Sequence, residues 1–154
     1  MNTPRKFPGL ELAVIGFCAW QASDLLTTWR TSPFDRWGWL SFVIWLIPVL
    51  RALVGGGMGT NGSVPLTVAA LALGFLGRGV ELNAVLNLSL ALACATLIPP
   101  SPRRLLWLIG SLAWMPLLGW LASSVPPLLL ASVRVFGAAA AASILLPTRR
   151  PRPA

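Results

Sequence analysis

The chain has 154 residues, of which 56% are hydrophobic and 10% charged, with 12 basic residues, 4 acidic residues and no histidine. Soluble domains carry about 25% charged residues, so this composition excludes a water-soluble enzyme, a disordered chain and a basic nucleic-acid binder. Two cysteines and four acids also leave few residues for a disulfide framework, a metal site or an acid/base pair. We therefore expect the lipid bilayer to be the solvent of this chain.

Apolar runs long enough to cross a membrane follow one another along the chain. A transmembrane helix needs about 20 predominantly apolar residues. Clusters of charge, proline and glycine divide the chain into six apolar segments, over residues 10–29, 37–54, 64–77, 80–98, 105–122 and 125–146. The third segment is short enough to be re-entrant, which would leave five crossings. The sequence thus predicts an all-α, polytopic transmembrane helix bundle of about six spans, formed by one domain over residues 1–154.

The connectors predict the orientation of these segments. With six spans, most of the basic residues fall on one side of the membrane together with both termini, and the positive-inside rule makes that side cytoplasmic. Residues 1–9 then form an N-terminal cytoplasmic segment and residues 147–154 a basic cytoplasmic tail. Residues 55–63 read as a flexible glycine-rich loop, and they lack the Lys-Ser/Thr pair that a phosphate-binding loop needs.

Tryptophans mark the ends of the first two segments. Trp29, Trp37 and Trp39 lie at the ends predicted to face away from the cytoplasm. Because amphipathic rings collect at headgroup depth, we interpret them as an interfacial belt.

Ionisable residues inside apolar segments are costly and therefore informative. An arginine at the centre of a membrane helix costs about 2.5–3.5 kcal/mol on the insertion scale, so Arg134 must face a partner or water. Asp24, in the first segment, is the predicted partner. The pair is either a structural link between two helices or part of a functional site, and the sequence leaves both open.

A second polar feature lies on the fourth segment. Asn83, Asn87 and Cys94 are four and seven residues apart, so they share one helix face. Such a stripe either hydrogen-bonds neighbouring helices or lines a cavity. Haem, quinone and retinal sites commonly use histidine or lysine, and the chain has no histidine and a single lysine. We accordingly expect no cofactor and no metal.

Three stretches of the chain are similar to a known membrane family. They are the run Thr28-Trp29-Arg30-Thr31-Ser32-Pro33-Phe34-Asp35-Arg36-Trp37-Gly38-Trp39-Leu40, the stretch from Val125-Pro126-Pro127 to Ser132-Val133-Arg134-Val135, and Ala93-Cys94-Ala95-Thr96. Together they resemble the exosortase/archaeosortase family of polytopic membrane cysteine transpeptidases. The resemblance implies that Cys94 is the nucleophile and that Arg134 orients or stabilises the acyl intermediate.

The function that the sequence favours is that of a non-catalytic accessory or structural component of a membrane assembly, linked through the resemblance to protein sorting or envelope export. Two alternatives stay open. One is an exosortase-like cysteine transpeptidase that uses Cys94 and Arg134. The other is a small transporter or channel built around Asp24, Asn83, Asn87 and Arg134. The expected partners are other membrane proteins and not nucleic acid, and the residue bias is typical of a high-GC bacterium, which predicts the inner membrane.

Overall fold

The computed structural model describes residues 9–55, 63–121 and 124–146. Within these ranges the chain is helical, without β-strands. The helices are α1 (Gly9–Gln21), α2 (Asp24–Thr31), α3 (Gly38–Gly55), α4 (Val64–Gly79), α5 (Asn83–Ala95), α6 (Pro102–Ile109), α7 (Pro116–Leu121) and α8 (Pro127–Leu145), with a 3₁₀ turn at Gly110–Ala113 between α6 and α7. The predicted all-α class is confirmed.

The predicted six-span bundle is wrong. Among the described residues, α8 is the one unbroken helix long and apolar enough to cross a membrane, and α1 with α2 would make a second span if the two are taken together. The other apolar helices are shorter. Helix α5, for example, has 13 residues, which at 1.5 Å per residue is about 20 Å, against a hydrocarbon core of about 30 Å.

Local sequence explains where the predicted segments break. The first is divided by a bend of 48° between α1 and α2, at the polar residues Ser23 and Asp24, which are weak helix formers. The fifth is divided into α6, the 3₁₀ turn and α7, where Gly110 and Pro116 interrupt the helix. Hydropathy reports the apolar character of these segments but not these changes of direction.

Two packing units organise the helices. Helices α4 and α5 form a tight antiparallel pair on which α1 packs. Gly77 allows their close approach, since a Cβ at this position would lie 2.9 Å from a methyl carbon of Leu86. Helix α8 packs chiefly on α3 and also contacts α6 and the 3₁₀ turn. The polar groups discussed below lie in and between these units.

Two prolines mark the start of α8. Pro127 is the first residue of the helix and Pro126 precedes it, where a missing backbone N–H removes no helical hydrogen bond. Pro48 lies inside α3. Most of the predicted N-terminal segment 1–9 and glycine-rich loop 55–63, and all of the basic tail 147–154, lie outside the described residues.

Candidate functional site

Arg134 forms the polar centre of the molecule. Its side chain is fully buried on α8, and its Nη2 donates to Oδ1 of Asp35 in an ion pair. Its Nη1 donates to the backbone carbonyls of Ala113, at 3.1 Å, and Met115, at 3.3 Å. One guanidinium therefore joins α8 to the connector before α3 and to the junction between the 3₁₀ turn and α7.

Asp35 is held in place by the turn around it. The turn uses backbone bonds from Asp35 N–H to the Ser32 carbonyl, at 3.2 Å, and from Gly38 N–H to the Asp35 carbonyl, at 2.7 Å. The Ser32 hydroxyl donates to Asp35 Oδ2 at 2.8 Å. Gly119 on α7 lies against this carboxylate, and any Cβ there would collide with it. The site therefore needs glycine at position 119.

The predicted Asp24–Arg134 pair is wrong. Asp24 is exposed at the start of α2, and the carboxylate that faces Arg134 belongs to Asp35, which is 6% exposed. Asp35 lies between the first two predicted segments, 10–29 and 37–54, and so was not predicted to lie at membrane depth. One sequence feature could have indicated Asp35. It is an acid that lies between Arg30 and Arg36 and directly before the apolar segment 37–54.

Two side-chain donors of the core lack a hydrogen-bond acceptor among the described residues. They are Nε of Arg134 and Nε1 of Trp114, and both are buried. Trp114 lies between the two residues whose carbonyls bind Arg134. Unpaired buried donors are uncommon in folded proteins, yet within the described residues the guanidinium of Arg134 keeps one unsatisfied N–H although its other two nitrogens are bonded.

Asp24, Asn83 and Asn87 meet in a separate place. They line one cavity of about 230 Å³, with Thr28 and the apolar side chain of Leu86 also in its wall. Asn87 is 3% exposed, and its amide makes no hydrogen bond within the described ranges. The cavity lies at the bend between α1 and α2, so the break in the first predicted segment creates its wall.

The polar residues predicted for transport are thus divided between two places. Asp24, Asn83 and Asn87 share the cavity, whereas Arg134 belongs to the ion pair with Asp35. Cys94, the third member of the predicted polar stripe, is not among the residues that line the cavity.

Both cysteines are buried. Cys94 is 1% exposed and Cys18 is fully buried, and both are free thiols in the core where α1 packs on α5. The contacts of Arg134 are to Asp35, Ala113 and Met115, and none of them brings it to Cys94. An apolar environment also disfavours the thiolate, which is the reactive form.

An aromatic cluster that sequence reasoning did not anticipate fills the space beside the ion pair. The rings of Trp45 and Trp107 stack with centroids 3.9 Å apart and planes within 10°. Each indole N–H donates to the backbone carbonyl of the other residue, at 2.9 and 3.0 Å. Phe42 and Trp114 contact this pair. Trp45 and Trp107 are 62 residues apart in the chain, so local sequence gives no signal for this reciprocal pairing.

The prediction that Trp29 belongs to an interfacial belt is wrong. Trp37 and Trp39 are exposed, whereas Trp29 is 7% exposed and donates its indole N–H to the Trp114 carbonyl at 3.2 Å. Trp29 thus belongs to the core.

No protein-family model, curated protein or solved structure matches this chain. In the part of the chain that the structure describes, histidine, cysteine, aspartate and glutamate form no group of three that could hold a metal ion.

Proposed function

We propose that this protein is a membrane-embedded, non-catalytic component of a membrane assembly, and that its Arg134 centre is a structural link. The observation that carries the proposal is the distribution of residues along α8. Arg134 is fully buried there, whereas Leu128 and Phe136 are 79% and 74% exposed. A charge inside and large apolar side chains outside is the arrangement that a bilayer favours and water opposes.

The rest of the described surface is also suited to a bilayer. Large apolar side chains are exposed on most helices, among them Trp20, Val64 and Phe75. Only 28% of the apolar stretch of α8 is buried, so α8 is unlike the core helix of a soluble domain. A bilayer would cover these surfaces, and the residue bias favours the bacterial inner membrane.

The absence of catalysis in this proposal rests on the contacts of the two candidate catalytic residues. Arg134 is committed to Asp35 and to two backbone carbonyls, and a substrate could reach its guanidinium only if the core opened. Cys94 is buried on α5 and is not among the partners of Arg134. The resemblance to exosortases therefore supports, at most, a role beside protein sorting or export.

The first test is alkaline carbonate extraction of membranes from cells that express the full chain. We expect the protein to stay in the membrane pellet, because its release would expose its apolar exterior to water. Release into the carbonate supernatant would overturn the membrane proposal.

The second test compares the wild-type chain with the double variant Asp35→Leu/Arg134→Met, purified from membranes in mild detergent. If the ion pair is only structural, the variant retains the same associated membrane proteins. A variant that folds normally but loses those proteins, or the processing of one of them, would place Arg134 in a functional site.

One observation favours a second candidate function, the binding or passage of a small polar solute. Asp24, Asn83 and Asn87 line one cavity beside a broken helix, and discontinuous helices commonly form the binding sites of transporters. The double variant Asn83→Leu/Asn87→Leu would fill the cavity with apolar groups. Loss of solute uptake by proteoliposomes that contain this variant would support transport, and equal leakage of wild-type and variant vesicles would oppose it.

A further inference from the structure

Apart from the two polar places described above, the structure has a basic and aromatic groove. It has a volume of about 640 Å³ and lies where α2 ends and the connector to α3 begins. Arg30 and Arg36 supply its charge, while Leu26, Trp29 and Trp39 supply apolar wall. The arginines of this groove take part in neither the Arg134 link nor the Asp24 cavity.

The charge of the groove is left unbalanced by the way the connector folds. Asp35, the acid beside Arg36, turns inward to Arg134 and accepts the hydroxyl of Ser32. Over the described ranges, Asp35–Arg134 is the sole ion pair, so the exposed Arg30 and Arg36 have no carboxylate partner. Two guanidinium groups, each a planar fork of donors, suit the oxygen atoms of a phosphate group.

The apolar part of the groove indicates that the phosphate belongs to an amphiphile. Leu26 is 58% exposed and Trp39 is 49% exposed, so the groove continues into the apolar exterior of the protein. Since a water molecule occupies about 30 Å³ of liquid, the groove has room for roughly twenty waters. That space exceeds what a single inorganic phosphate fills and leaves room for a glycerol backbone and the first acyl carbons.

We propose that this groove binds the phosphate headgroup of an anionic phospholipid, with Arg30 and Arg36 on the phosphate and Leu26 and Trp39 against the adjoining chain. The inference rests on the proposed membrane location. Trp39 is suited to this position because tryptophan is enriched at the level of the headgroups. The bound lipid would supply the negative charge that Asp35 does not.

The test is native mass spectrometry of the delipidated full chain in detergent, titrated with phosphatidylglycerol or with phosphatidylcholine of the same acyl chains. The groove variant is Arg30→Gln/Arg36→Gln. The matched control, Arg51→Gln/Arg78→Gln, loses the same charge from two other exposed positions on α3 and α4. We expect phosphatidylglycerol affinity to fall at least tenfold in the groove variant and less than threefold in the control, with phosphatidylcholine binding unchanged in both.

Other outcomes would overturn the proposal. Equal losses in the two variants would mean diffuse attraction between a basic protein and an anionic lipid. Displacement of phosphatidylglycerol by an equal concentration of inorganic phosphate would mean a site for a soluble anion. Arg30→Lys/Arg36→Lys serves as a further control that keeps the charge, and it should retain part of the affinity.

Carbonate extraction separates this test from that of the proposed function. A wild-type chain that stays in the membrane but does not prefer phosphatidylglycerol overturns only the lipid site. A wild-type chain found in the soluble fraction overturns the membrane proposal itself.

Discussion

Arg134 and Asp35 illustrate how one buried pair can join distant parts of a chain. The two residues are 99 positions apart, and the guanidinium also binds the carbonyls of Ala113 and Met115. Because both side chains are buried, each charge is compensated by the other and not by water. Removing one partner leaves an uncompensated charge, whereas replacing both with apolar residues does not.

Single substitutions at this pair should therefore cost more than the double substitution. We expect Asp35→Leu alone to lower the free energy of unfolding by about 3–5 kcal/mol, because Arg134 keeps its buried charge. Asp35→Leu/Arg134→Met should recover most of that loss. Equilibrium unfolding in mixed detergent micelles measures both changes.

Asp24→Leu is the control for this experiment, since Asp24 is exposed and outside the pair. Its effect should stay within about 0.5 kcal/mol, as for most surface changes. Additive losses for Asp35→Leu and Arg134→Met would contradict the structural link.

The two cysteines provide a test of the resemblance to cysteine transpeptidases. Both thiols are buried, so we expect Cys18 and Cys94 to react slowly with a maleimide in the folded protein and rapidly after unfolding in SDS. Single variants Cys18→Ala and Cys94→Ala assign the rates by mass spectrometry. Selective, rapid labelling of Cys94 in the folded chain would instead support a catalytic thiol.

The reciprocal hydrogen bonds of Trp45 and Trp107 also lead to a measurable expectation. Trp107→Phe keeps an aromatic ring but leaves the carbonyl of Trp45 without its donor, which should cost about 1–3 kcal/mol. Trp20→Phe is the matched control, because Trp20 is 70% exposed. A loss of stability in Trp20→Phe as large as that in Trp107→Phe would show that the buried hydrogen bonds contribute little.

At the scale of elements, the packing of α8 against the 3₁₀ turn after α6 depends on a close approach of their backbones. A Cβ at Gly110 would collide with the Cβ of Ala141 on α8. The backbone of Gly110 has an ordinary helical conformation, with φ −60°, so the need for glycine is one of space. Small residues allow helix backbones to approach closely in this way.

Gly110→Ala should therefore destabilise the protein, by about 1–3 kcal/mol, through overpacking. Gly16→Ala on α1 is the control, since a Cβ there meets no atom within 4 Å. That change should be neutral or stabilise the helix by up to about 1 kcal/mol. Thermal denaturation in detergent compares the two variants, and equal effects would argue against the tight contact.

At the scale of the whole molecule, the proposed membrane location makes different predictions for two exposed positions of α8. Phe136 is near the middle of α8 and Leu128 near its start, and both are exposed. In water, an arginine at either position would be tolerated. In a bilayer, an arginine near the middle of the helix costs about 2.5–3.5 kcal/mol, and one near the end reaches the headgroups at lower cost.

We therefore expect Phe136→Arg to reduce membrane insertion and Leu128→Arg to have a much smaller effect. The amount of carbonate-resistant protein, relative to total synthesis, measures insertion. Equal tolerance of the two substitutions would indicate that α8 does not cross the bilayer.

The sequence by itself determined the helical class and the course of several helices. Apolar runs over 37–54 and 64–77 correspond to α3 and α4, because continuous apolar composition with terminal glycine or proline defines such helices locally. The same reasoning predicted full membrane spans over 80–98 and 105–122, where the helices are shorter or interrupted. Hydropathy measures preference for solvent and does not register the helix breaks at Gly110 and Pro116, which follow from the poor helix-forming tendency of glycine and proline.

Only the tertiary structure decided which polar groups meet. The cost of a buried arginine predicts that Arg134 has a partner, but the partner is fixed by the turn that brings Asp35 inward and by the space at Gly119. The helical spacing of Asn83 and Asn87 predicts a shared face, yet the bend between α1 and α2 brings Asp24 to it. Composition and spacing act locally along the chain, whereas ion pairs and cavities arise from contacts between residues far apart in sequence.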